Sequence, residues 1–279
     1  MHTYNHRPRV DYCNICGKKN RLTKDHVPPK SCGNNITQKY NLALGIKDSS
    51  AQTDKFFWTS QGGLTYQSIC STCNNVLLGS KYDTAYKNVY DEVSRLAKST
   101  LSLPKLITIE CSVNRYARSI IGHFLSAKNY YDKDCVVDTV LRHYFLNENS
   151  PPPPNFHLYY YPYPYASTFI LRDAFAISNK AENDAYRLDG MFSCINSFPL
   201  AFLLTDSNIN LAFPDLFSYC NHDIDARKRI PIRIDTALYN GHFRHPQWPC
   251  NIGNEEVKAI VFGKSLNDTV FSINKPERN

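Results

Sequence analysis

Two stretches decide how this chain is read: Cys13-Asn-Ile-Cys16-Gly17-Lys-Lys-Asn-Arg-Leu-Thr-Lys24-Asp25-His26-Val-Pro-Pro-Lys30 and Ile69-Cys70-Ser-Thr-Cys73-Asn74-Asn75. Two residues between cysteines let both sulfurs face one tetrahedral ion. Two such pairs supply the closed four-thiolate sphere of a structural zinc site. Gly17 after the first pair permits the tight turn of a knuckle. The second pair is expected to open a helix, whose N-terminal dipole favours thiolate. One CxxC alone would also suit redox chemistry; two together favour a metal. The 53 residues between Cys16 and Cys70 exceed a compact zinc ribbon, so a substantial segment is inserted.

The Lys24-Asp25-His26 run begins eight residues after Cys16, and Asn74 directly follows Cys73. In order, spacing and flanking residues, positions 13 to about 83 resemble the zinc-bearing HNH, or ββα-metal, endonucleases, built on a treble clef. The resemblance implies that His26 is a general base. It implies that Asp25 and Asn74 are ligands of a catalytic divalent ion, Mg²⁺ or Mn²⁺, and that Cys13, Cys16, Cys70 and Cys73 hold structural Zn²⁺. Such a set suits phosphodiester hydrolysis, which needs a deprotonated water and a cation to offset charge on the phosphoryl oxygens. An imidazole accepts a proton near neutral pH, and a carboxylate with an amide oxygen leaves a hard ion open positions. The products expected are 5′-phosphate and 3′-hydroxyl ends.

The chain departs from the family where the middle Asn of the motif is expected, about five residues before the second knuckle. Thr65 stands there, with Asn41 and Asn35 as further candidates for propping the loop behind His26. Lys24 and Lys30 could grip flanking phosphates or be solvated surface lysines. Phe56-Phe57-Trp58, in the excursion 31–65, reads as a packed anchor before a DNA-facing wedge.

Charge agrees with a polyanionic partner. Residues 1–40 hold eight basic side chains against Asp11 and Asp25, whereas the whole chain is +7. A solvated basic face is the plain alternative. The expected partner is DNA, with RNA on the same fold open, and a non-catalytic nucleic-acid-binding module is the rival from another class.

At 279 residues the chain can bury a substantial core. The expected class is α+β: an N-terminal ββα-metal or treble-clef zinc module, a helical middle and a mixed or mostly antiparallel β C-terminal part. The boundary is placed as 1–99 for the nuclease module and 100–279 for a part serving recognition, oligomerisation or regulation through a partner protein. Helical spacing runs from Cys73 through Ala97, with Gly79 expected to divide it. Lys105–Glu110 reads as a strand, and 113–128 and 134–146 as helices. Pro151–Pro154 cannot be helical. The aromatic and branched runs 156–163, 167–177, 197–206 and 257–263 read as strands.

The other cysteines, Cys32, Cys111, Cys135, Cys194, Cys220 and Cys250, read as buried hydrophobes. A second metal cluster from Cys220, His222, His242, His245 and Cys250 is set aside on its irregular spacing. Arg227, Lys228, Arg229, Arg233 and Arg244 could extend a DNA-binding surface or equally form a solvated face, and His123 reads as a satisfied helix histidine. No apolar run reaches the roughly 18 residues of a membrane helix, and the opening lacks an apolar leader core, so a cytoplasmic protein is expected. Restriction, anti-phage defence or a mobile element is the context the resemblance implies.

Overall fold

The computed structural model describes residues 7–42, 57–99, 104–178, 187–206, 211, 213–220, 225–236, 257–261 and 270–272. In order these form β1 (Val10–Tyr12), β2 (Lys19–His26), β3 (Gln38–Leu42), β4 (Phe57–Ser60) and β5 (Thr65–Cys70). A π-helical segment (Thr72–Tyr82) then runs into α1 (Asp83–Ala97), followed by β6 (Leu106–Cys111), α2 (Val113–Ser126) and α3 (Val136–Leu146). The remainder is β7 (Phe156–Pro162), β8 (Phe169–Ser178), β9 (Arg187–Ser197), β10 (Leu200–Asp206), a 3₁₀ turn (Leu216–Tyr219), β11 (Ile230–Asp235), β12 (Val257–Val261) and β13 (Val270–Ser272).

The class is α+β, as expected: every strand pair is antiparallel, and the helices gather beside the sheets. Strands β1, β2 and β5 form one small sheet. A large sheet runs β4-β3-β13-β8-β9-β10-β7, with β12 also on β8, while β6 and β11 make a separate ribbon. The excursion between the cysteine pairs thus sends β3 and β4 into the large sheet, where β3 pairs with β13 near the other end of the chain.

Gly79 does not divide the helical run. The helix continues through it and changes from π to α winding at Tyr82 and Asp83. A glycine inside a helix costs only about 1 kcal/mol, and the buried Leu78 and Tyr82 on either side anchor the segment. α1 buries the stripe Ala85, Tyr86, Val89 and Val93, at helical spacing. α2 is buried on all sides. Gly122 permits this, because a Cβ there would collide with Leu78 and Phe145. Around α2 one hydrophobic core runs from Cys13 and Ile15 through Val89, Ile120 and Phe145 to Leu204 and Val270, spanning both sides of the expected boundary at 99/100.

A buried ion cluster fastens the helices to the large sheet. Lys128, just beyond α2, lies 2.7 Å from Asp138 of α3 and also pairs with Asp173 of β8. Arg172 reaches both carboxylates at 3.2 Å. Asp173 sits at φ 51° where the β8–β9 register shifts between Leu171 and Ala174, and its N–H donates to Ser193 Oγ at 3.0 Å. This bulge turns two successive charged side chains inward. Burial raises the Asp173 carboxyl, but Arg172 and Lys128 outweigh it and hold it below its ordinary value.

Lys128→Met should therefore remove a cation shared by both buried carboxylates, leaving them Arg172 and, for Asp138, Arg142 at 3.7 Å, at a cost of about 3 kcal/mol. A lower urea midpoint at unchanged slope checks this. Because the Asp173 pKa is depressed on folding, its contribution is present above the ordinary carboxylate range and is lost as pH falls through the folded value. Asp173→Asn should flatten that acid-side loss of stability.

Candidate functional site

The four paired cysteines converge. Cys13 and Cys16 sit on the turn joining β1 to β2, closed by Cys13 N–H donating to Lys18 O and Gly17 N–H to Cys13 O, both at 2.9 Å. Gly17 adopts φ 67°, which a side chain would resist. Cys70 ends β5, and Cys73 lies in the first turn of the π-helical segment. All four sulfurs lie within 4.8 Å of one another. Cys16 and Cys70 are 3.9 Å apart, far beyond a disulfide and close to the ~3.8 Å edge of a tetrahedron with ~2.3 Å metal–sulfur bonds. The donor set therefore fits a structural metal such as zinc.

The thiols also compete for charge. A hydrogen bond from Cys73 is the main cause that brings Cys13 down to about 5, against burial. Burial first, with the Cys13 and Cys70 charges, pushes Cys16 up to about 11, and the Cys13 partnership pushes Cys73 up. Only a cation would let all four ionise together. Of the remaining described cysteines, Cys32, Cys111 and Cys194 are buried as expected, whereas Cys135 and Cys220 are partly exposed and Cys135 Sγ accepts from Asp138 N–H at the start of α3; burial raises Cys32, Cys111 and Cys220 each to about 12.

His26 closes β2 opposite Thr65 and is half-buried. Its Nε2 lies 3.0 Å from Gly62 O. A carbonyl only accepts, so Nε2 carries the proton and Nδ1 keeps its lone pair, with no hydrogen bond among the described residues. Burial is the main cause that lowers its pKa, so the ring is neutral at pH 7. Asn74 donates through Nδ2 to Lys24 O and to Thr23 Oγ1, both at 3.0 Å. These bonds fix the amide and leave Oδ1 without a protein hydrogen bond among the described residues.

Asp25, the neighbour of His26 on β2, is buried, and its Oδ2 lies 3.2 Å from Nδ1 of His123 on α2. The opposite ring nitrogen, Nε2, lies 3.1 Å from Asp83 Oδ1, which also accepts from Ser119 Oγ at 2.7 Å. Burial opposes a charge on His123, but Asp83 and Asp25 outweigh it and push its pKa up to about 10. Nε2 of the helix histidine is hydrogen-bonded, whereas Nδ1 meets Asp25 Oδ2 as an ion pair and neither of these two buried atoms makes a hydrogen bond. Sequence reasoning missed that pairing, because His123 and Asp25 stand 98 positions apart. No hydrogen bond joins Asp25, His26 and Asn74 to one another; they share the end of β2 and the start of the helix packed on it.

Thr65, Asn35 and Asn41 are the expected props behind His26. Thr65 meets His26 in the strand ladder, Asn35 is exposed, and Asn41 belongs to β3 in the large sheet. Asn34 does the bracing. It donates to Pro28 O at 2.7 Å and Leu64 O at 2.9 Å, and accepts from Leu64 N–H at 2.7 Å. Gly63, at φ 92°, makes room, since a Cβ there would strike Asn34. The clue in sequence was the pair Gly62-Gly63 facing an Asn-rich turn.

Lys24 and Lys30 are exposed and pair with no carboxylate among the described residues. Arg227, Lys228, Arg229 and Arg233 are exposed on or beside β11. Of the second cluster, Cys220 accepts from Tyr144 OH, while His222, His242, His245 and Cys250 lie outside the described residues, as do Phe56 and Arg244. Among the described residues no helix is long and apolar enough to cross a membrane. Comparison with family models, curated proteins and solved structures finds no match for this chain.

Proposed function

We propose that the chain is a metal-dependent endonuclease of the HNH kind, hydrolysing DNA phosphodiester bonds at the end of β2. The observation that carries this reading is His26: its Nε2–H is tied to Gly62 O, which leaves a basic Nδ1 without a protein hydrogen bond among the described residues, at the end of the strand to which Asn74 is bonded through Lys24 O. An imidazole so fixed takes a proton from a water lying in line with the scissile phosphorus. Asp25 and Asn74 would hold Mg²⁺ or Mn²⁺, which when bound offsets charge on the phosphoryl and leaving oxygens. The unengaged Oδ1 of Asn74 and the Asp25 carboxylate are hard oxygen donors suited to such an ion. His123 acts on Asp25 as a positioning residue, its charge 3.2 Å away holding the carboxylate in place. Lys24 and Lys30 anchor the flanking phosphates, and Zn²⁺ on the four cysteines keeps turn, strand and helix in register.

Purified protein with Mg²⁺ or Mn²⁺ should nick supercoiled plasmid, with open circles accumulating before linear DNA because one site cuts one strand. EDTA should stop it. Parallel incubation with RNA separates the substrate classes. Intact plasmid and intact RNA under both metals would leave a zinc-stapled binding module as the better reading.

A further inference from the structure

Behind the loop that follows His26 lies a cavity of about 680 Å³ that none of the roles above uses. It opens between residues 28–38, the C-terminal half of α1, and the connections β7–β8 and β9–β10. Its volume falls within the ~300–1,000 Å³ of small-molecule sites.

Gln38 in its wall is only 7% exposed, and its Oε1 is taken by the Tyr40 hydroxyl at 2.7 Å. That bond fixes the amide, so Nε2 keeps two N–H groups with no acceptor among the described residues. Those N–H groups are not sealed in the protein interior, so they are open to an acceptor. The aromatic rings of Tyr90 and Phe198 also line the cavity. Lys98 Nζ lies 5.5 Å over the Phe198 ring, and among the described residues it pairs with no carboxylate and no acidic side chain lines the space.

A flat group with an acceptor edge, joined to an anion, matches this wall. We propose that the cavity binds a nucleotide, with its base against Phe198 and Tyr90, an acceptor edge toward Gln38 Nε2, and its phosphate at Lys98. The nucleotide is either free or swung out of a strand. Asn34 lines the same cavity and braces Pro28 and Leu64, so an occupant bears directly on the loop that holds His26.

The test measures dissociation constants for the common ribo- and deoxyribonucleoside monophosphates and for a short single-stranded DNA. The His26→Ala chain is used in the strand arm so that nothing is cut. Saturable one-to-one binding is expected, weakened at least about tenfold by Gln38→Glu and by Lys98→Glu. Gln38→Glu keeps an acceptor for Tyr40 while removing the donor, and Lys98 is exposed, so its reversal carries the test even if the first variant fails to fold. Binding of monophosphates marks a free ligand, and binding of the strand alone marks an extruded nucleotide. Sensitivity to the substitutions supports the cavity in either case. No binding of any probe, or binding indifferent to the substitutions, overturns it. Plasmid cleavage without nucleotide binding would remove the cavity and leave the nuclease reading standing; nucleotide binding with uncut plasmid would do the reverse.

Discussion

Replacing His26 by Ala is expected to lower DNA cleavage by ~10²–10⁴-fold, the span for loss of a positioned general base. Among the described residues the half-buried ring makes one hydrogen bond, to Gly62 O, so its removal disturbs little else. Tightly held zinc, melting temperature and DNA affinity should all stay near those of the parent, because affinity comes mainly from cations facing phosphate. Asp25→Ala differs in kind. It leaves His123 with one carboxylate instead of two, so stability should fall along with activity, and excess Mn²⁺ should restore only part of the rate. A His26→Ala chain that still holds zinc and cuts at the parental rate would move the chemistry elsewhere.

The largest structural effect is expected at the four cysteines. Cys70→Ser should remove one of four sulfurs that crowd within 4.8 Å and drop zinc content from one ion per chain to a loosely held fraction. Metal binding at such a site is folding energy, on the order of 10 kcal/mol. Cys13, Cys70 and Cys73 are also part of the main core, so the loss should spread into it. The variant should aggregate, or lose its near-ultraviolet circular dichroism, at temperatures where the parent is folded. Elemental analysis finding no zinc in well-folded parent protein would overturn the assignment.

Much of the candidate site was legible because its chemistry is written in short range. Cys13 to Cys16 and Cys70 to Cys73 are local spacings, and Asp25-His26 and Asn74 sit at fixed offsets from them. Several strands and helices beyond residue 105 were legible from periodicity, as at Leu106–Cys111 and Val136–Leu146, but β9 at Arg187–Ser197 was not. What sequence could not carry was partnership across distance. His123 against Asp25, Asn34 against Leu64, and Lys128 against Asp173 join segments whose approach depends on the packed whole. The destination of β3 was hidden for the same reason, since its partner β13 lies more than 200 residues further on. Gly79 misled because propensity is a small term beside the burial of Leu78 and Tyr82.

The strand exchange between β3 and β13 also limits how this chain can be dismantled. A fragment ending at residue 99 would carry the four cysteines and His26, yet it would present β3 with a raw hydrogen-bonding edge where β13 had been. It would also strip α2 from the faces of α1 and β5, and with it the only described partner of the Asp25 carboxylate. Such a fragment has the makings of an aggregate rather than a miniature enzyme. Transplanting the site into another scaffold would therefore mean carrying the long-range strand and the central helix along with it.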